Sequence, residues 1–118
     1  MSVEKLVQKI RQDVDSIFFD EVITVIKENY HYTPTRFTNG VGEARVINEA
    51  GQNEGSCRIF AFARLRGLSE AETLSCFGKF YREDVLGNPA GSDHANIRNF
   101  MRNGWAGIVF DGEALAPQ

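Results

Sequence analysis

Residues 50–67 read AGQNEGSCRIFAFARLRG, a loop of glycines and polar residues that runs straight into an apolar segment. Ser56 is a good N-cap and Gly67 a natural stop, so the spacing predicts a helix from Cys57 to about Arg66. Ile59, Phe60, Phe62 and Ala63 leave that helix apolar almost all round, the pattern of a helix inside a domain rather than on its surface. The rest of the chain has to be arranged around it.

Downstream, Ser69 and Glu72 form a capping box that opens a second helix through Leu74, Phe77 and Tyr81. Gly87, Pro89 and Gly91 break the chain, and a last helix is predicted from Ser92 or Asp93 through Ile97, Phe100 and Met101 to Gly104. Upstream, Val3, Leu6, Val7, Ile10 and Val14 recur at helical spacing after the N-cap Ser2. Phe19, Val22, Ile23, Ile26 and Tyr30 repeat the pattern after Asp15 and Ser16, which offer a second cap, and Pro34 ends the run. In TRFTNGVGEARVI, residues 35–47, the threonines, phenylalanine and valines suggest short strands at Arg36–Thr38 and Arg45–Ile47, followed by a loop over 48–55. Residues 105–110, WAGIVF, have strand composition and should pair with 35–39, because a lone strand leaves its backbone groups unsatisfied. The expected fold is α+β: a mainly helical single domain, residues 1–118, with a small antiparallel sheet.

Composition narrows the function classes. A chain of 118 residues, 42% hydrophobic and 25% charged, suits one globular domain without disulfide or metal staples. The net charge of −3 is uneven, with nine acids against six bases in residues 1–56 and seven against seven in 57–118. No basic face for nucleic acid is indicated. Cys57 and Cys76 fall in separate predicted helices, which suits reduced thiols in a cytosolic-type protein. No apolar run approaches the roughly 18 residues of a membrane span, and no cleaved secretory signal is expected at the start.

Two long stretches carry a resemblance. GQNEGSCRIFAFARLRGLSEAETLSCFGKFYREDVL, residues 51–86, and DHANIRNFMRNGWAGIVF, residues 93–110, resemble the HopJ type III effectors, small bacterial proteins named after a plant-pathogen effector. The likeness covers roughly residues 35–110. It implies a bacterial protein of a group injected into host cells, with virulence as its setting, and it implies no enzymatic reaction, catalytic residue or cofactor. Its expected place is inside a host cell. The first thirty residues, however, read as folded helices with Ser2 and Ser16 as their only serines, both at caps, which keeps the bacterial cytoplasm as the alternative.

Three chemistries compete for the remaining polar residues. Cys57 at a helix start would lie at the positive end of the macrodipole, and the order Cys57, His94, Asn96 or Asn99 is that of a thiol hydrolase. Against this, free cysteine is among the most buried residue types, and His94 is expected to lead the Ile97 and Met101 stripe into the core. No catalytic role is assigned, and Cys76 beside Phe77 is read as core. The second chemistry uses the loops: NEGS and AGSDH bring glycine and serine to helix N-termini, where backbone N–H groups can hold an anion. The ligand-binding candidates are therefore Asn53, Gly55, Ser56, Asp93, His94, Asn96 and Arg98, with Arg58 a further source of charge if the two helix starts converge. Asn96, Asn99 and Asn103 share a helix face that reads as solvated. Third, Trp105, Phe110 and Tyr81 read as packing, although Trp105 could anchor a partner peptide. His31, His94, Cys57 and Cys76 lack metal-ligand spacing, so no metal or other cofactor is expected. The reading overall is a binding domain, whose partner is a host protein or a small anionic ligand.

Overall fold

The phenyl ring of Phe60 touches four other aromatic rings, those of Phe37, Phe77, Phe100 and Trp105, at centroid distances of 5.0–6.3 Å. In the computed structural model, which describes residues 1–118, this residue lies on α3 (Glu54–Arg66), the central helix. Ile59, Phe60, Phe62 and Ala63 are completely buried, as an all-round apolar helix requires. The helix begins three residues before Cys57: its N-cap is Asn53, in the left-handed conformation at φ 50°, and Ser56 lies within the first turn instead of capping it. Gly67, at φ 65°, turns the chain out of the helix as expected.

Two helices precede the centre. In α1 (Val3–Gln12) the Ser2 hydroxyl accepts from Lys5 N–H at 3.1 Å, and Val3, Leu6, Val7 and Ile10 are buried. In α2 (Phe19–Asn29) the N-cap is Phe18, not Ser16; the Glu21 carboxylate accepts the Phe18 N–H at 2.9 Å. Ser16 instead ends a short 3-10 turn and donates to Asp13 O at 2.9 Å. The predicted capping box is present at the start of α4 (Glu70–Ser75), with Ser69 Oγ and Glu72 Oε1 each accepting the other's N–H at 3.1 and 2.8 Å.

That helix does not reach Tyr81. Gly78, at φ 59°, lies so close to α2 that a Cβ there would sit 2.8 Å from Phe19 N, and only glycine fits both constraints. A π-helical turn, Phe80–Val85, follows, marked by the Leu86 N–H bonding Tyr81 O at 3.0 Å. The last helix, α5 (Ala95–Asn103), starts later than Ser92 or Asp93, behind His94 at φ 51°. Ile97 and Phe100 are buried while Met101 is 43% exposed, so the inward stripe is narrower than predicted.

The expected pairing of 35–39 with 105–110 is present, within an antiparallel sheet of β2 (Phe37–Asn39), β3 (Val46–Asn48) and β4 (Ile108–Phe110) in the order β3–β2–β4, with Thr38 opposite both Ile47 and Val109. A second, unexpected pair joins β1 (Tyr30–Tyr32) to β5 (Leu115–Pro117), His31 facing Ala116. The helix α5 packs on β2 and β3, and α2 packs on α3, while Asn48 at the end of β3 bonds both Asn53 and Asn96 and so joins the starts of α3 and α5. No helix is long and apolar enough to cross a membrane.

Candidate functional site

Asparagine side chains hold those two helix starts together. Asn48, on β3, accepts at one oxygen from both Asn53 Nδ2 at 2.7 Å and Asn96 Nδ2 at 2.8 Å. Its own amide donates to Asn96 Oδ1 at 3.1 Å and Phe37 O at 3.3 Å. Asn39 donates to Asn96 O at 2.8 Å and to Asn96 Oδ1 at 3.0 Å, and Asn99 donates to Asn39 O at 3.0 Å and Ala44 O at 2.8 Å. Asn39, Asn48, Asn96 and Asn99 are all buried. The amide face of α5 is therefore not solvated at Asn96 and Asn99, because each buried amide finds a partner on the sheet or its flanking loop. Asn103 is half-buried, outside this network.

The network leaves both helix starts uncapped. Asn53 and His94 are the two non-glycine residues with positive φ, and each occupies an N-cap whose side chain makes no capping bond. The first intrahelical bonds run from Cys57 N–H to Asn53 O at 3.0 Å and from Arg98 N–H to His94 O at 3.1 Å. The amides of Glu54, Gly55 and Ser56, and those of Ala95, Asn96 and Ile97, have no partner within the protein. Between the two starts lies a cleft of about 370 Å³. Asn53, Gly55 and Ser56 form one side, and His94, Ala95, Asn96 and Ile97 form the other. Phe19, Phe77 and Phe80 supply an apolar wall.

His94 belongs to the cleft wall and not to the core. Its ring lies 5.3 Å from that of Phe80, and Nε2 is 3.1 Å from Asp84 Oδ2. Asp93 and Arg98 stand behind it. Arg98 is only 6% exposed in its side chain; Nε donates to Asp93 O and Nη2 to Asp93 Oδ1, both at 2.6 Å, and Nη1 donates to Asn88 O at 3.0 Å. That hydrogen bond holds the Asp93 carboxyl below its ordinary range. The guanidinium thus clamps the 88–93 loop that leads into His94 and does not present its charge to the cleft. Arg58 is directed elsewhere, over the Tyr32 ring at 3.9 Å.

Cys57 is 1% exposed, and its thiol donates to Thr35 O at 3.6 Å. Burial pushes its pKa up, the reverse of the helix-start effect, because the first turn of α3 is already complete where Cys57 stands. It is not part of the cleft lining, and His94 faces Asp84 instead. Cys76 is fully buried, its thiol pushed up to about 12 by burial. Trp105 packs edge-on to Phe60 and Phe100 while its Nε1 donates to Leu68 O at 3.2 Å.

Of the sequence-predicted residues, Asn53, Gly55, Ser56, His94 and Asn96 share the cleft, with Asp93 and Arg98 directly behind it. Sequence reasoning missed Asn39, Asn48, Phe19, Phe80 and Asp84. The signal for the first two was an asparagine at the end of each strand; none marked the others.

These features define a small α+β domain with a polar cleft between two helix starts. The chain belongs to the HopJ type III effector protein family, whose model matches residues 3–115 and so takes in α1 as well. It is similar to a crystal structure of the unknown-function protein VPA0580, with 45% sequence identity and a TM-score of 0.95, covering 100% of this chain and 95% of that one. None of the curated proteins compared matches the chain.

Proposed function

We propose that the chain acts by binding, as an effector-like protein whose working part is the cleft between α3 and α5, and that the ligand is a small anion. The observation that carries this reading is the convergence of two uncapped helix starts on one cavity. Five residues with backbone N–H groups that lack protein partners, Gly55, Ser56, Ala95, Asn96 and Ile97, border it, and each helix start carries the equivalent of about half a positive charge. Two left-handed non-glycine residues at those starts add a conformational cost, sustained for Asn53 by its bond to Asn48 and for His94 by the Arg98 clamp on its loop, as is common where a backbone is shaped for a ligand. The family's description supports delivery into a host cell; the cleft chemistry is the same there or in the bacterial cytoplasm.

A thiol hydrolase is a weaker reading, since Cys57 is buried and turned to Thr35. The test is a titration of the 15N-labelled chain with inorganic phosphate and with acetate. Shifts concentrated at the amides of Gly55, Ser56, Ala95, Asn96 and Ile97 are expected. Absence of saturable shifts at these amides with either ion would overturn the proposal.

A further inference from the structure

The aromatic wall of the cleft has its own geometry. Phe19, Phe80 and His94 form a continuous arc: Phe19 and Phe80 meet edge to face at 5.1 Å and 77°, and Phe80 and His94 are tilted by 38° at 5.3 Å. Phe19 and Phe80 are only partly buried, so the arc is not closed core. It also abuts the polar end directly, because a Cβ on Gly55 would lie 3.0 Å from Phe19 Cζ, which presses that ring against the first turn of α3. The π-helical turn contributes both Phe80 and Asp84, and the two side chains converge on His94, one by its ring and the other by its carboxylate. Such turns break the regular helix and recur at functional sites.

We infer that the cleft takes an aromatic oxyanion, a single flat ring carrying a carboxylate or a phosphate. This rests on the anion-binding reading and adds the nature of the ligand's body. A ring laid against the arc has three aromatic side chains within reach and can make the offset and edge-on contacts aromatic groups prefer, whereas an alkyl body gains area alone. The volume, about 370 Å³, is near the lower end of ligand cavities and suits one ring with its acidic group.

The experiment extends the amide titration to benzoate, phenyl phosphate, cyclohexanecarboxylate and benzyl alcohol. Benzoate or phenyl phosphate is expected to bind roughly tenfold more tightly than acetate or inorganic phosphate, within what aromatic contact provides. Either should also exceed cyclohexanecarboxylate, which has the charge without the flat ring. Which of the two wins separates a carboxylate ligand from a phosphate one. Phe80→Leu should abolish the aromatic preference, bringing benzoate and phenyl phosphate down to the level of cyclohexanecarboxylate. If that variant does not fold, the ligand series with the unaltered chain decides. Small ions that bind while benzoate and phenyl phosphate bind no better than cyclohexanecarboxylate would overturn this inference and leave the anion reading standing. Benzyl alcohol binding as tightly as benzoate would overturn the anion reading, and silence of the cleft amides to every ligand would overturn both.

Discussion

Asn48 and Asn96 exchange two hydrogen bonds, Asn96 Nδ2 donating to Asn48 Oδ1 at 2.8 Å and Asn48 Nδ2 donating to Asn96 Oδ1 at 3.1 Å. The pair ties β3 to the start of α5, and because Asn53 shares the same Asn48 oxygen it also ties in the start of α3. Replacing Asn48 with leucine removes the acceptor of the buried Asn96 amide, as well as that of the more exposed Asn53. Each buried polar group left unpaired costs about 1–3 kcal/mol. Urea unfolding of Asn48→Leu should therefore show a midpoint well below that of the unaltered chain, and phosphate-induced shifts at Gly55 and Ala95 should weaken in the same variant. A variant of unaltered stability would show that the network does not hold the cleft.

The clamp behind His94 predicts an acid dependence. Asp93 is lowered from an ordinary value of about 3.8, chiefly by its hydrogen bond to Arg98, so the unfolded chain takes up the proton more readily than the folded one. Its contribution to stability is complete above that ordinary value and is lost as pH falls through the depressed one. Asp93→Asn should accordingly lower Tm at pH 7, and the gap to the unaltered chain should narrow as the pH drops below about 4. A gap independent of pH would show that the Asp93 to Arg98 bond is not the source.

Local signals were legible and distant ones were not. The Ser2 cap, the Ser69 and Glu72 box and the Gly67 stop each depend on residues a few positions apart, and all are present where predicted. The starts of α3 and α5 were misplaced because Asn53 and His94 take the left-handed conformation, sustained for Asn53 by contact with Asn48 and for His94 by the Arg98 clamp on its loop. The β1 to β5 pair escaped notice for a similar reason: three-residue strands show little alternation, and Tyr30 finds Pro117 from the other end of the chain. Amphipathic reasoning puts an asparagine face in water. Here the amides of Asn96 and Asn99 bond residues some fifty positions away in the chain, a long-range satisfaction that periodicity does not encode. The loops NEGS and AGSDH contain four residues of the cleft, Asn53, Gly55, Ser56 and His94, whereas Phe80 and Asp84 belong to a π-helical turn with no simple sequence rule.

The first helix should be integral to the fold. Val3, Leu6, Val7 and Ile10 are buried, and Lys9 Nζ pairs with Glu21 on α2 at 2.8 Å. Leu6 is completely buried, so Leu6→Ala should cost about 2–5 kcal/mol in urea or thermal unfolding. Removing residues 1–12 should cost more than that single change. Unchanged stability after the deletion would show α1 to be an appendage.

The buried thiol provides the sharpest check on the choice of a binding over a catalytic role. The pKa of Cys57 is raised, first by burial, and its Sγ is engaged with Thr35 O at 3.6 Å. A raised pKa means less thiolate at neutral pH, and thiolate is the species that alkylates. Native chain and iodoacetamide should therefore react at Cys57 more slowly than a free thiol of pKa about 8.5, with the rate rising only at higher pH or on unfolding. Cys57→Ser should lower stability, because a more polar hydroxyl replaces a thiol in an apolar site, and it should leave the cleft titration with phosphate unchanged. Alkylation at neutral pH faster than the free thiol, and lost in His94→Ala, would mean that the thiol and the imidazole meet in solution. The thiol hydrolase would then displace the binding protein as the better reading of this chain.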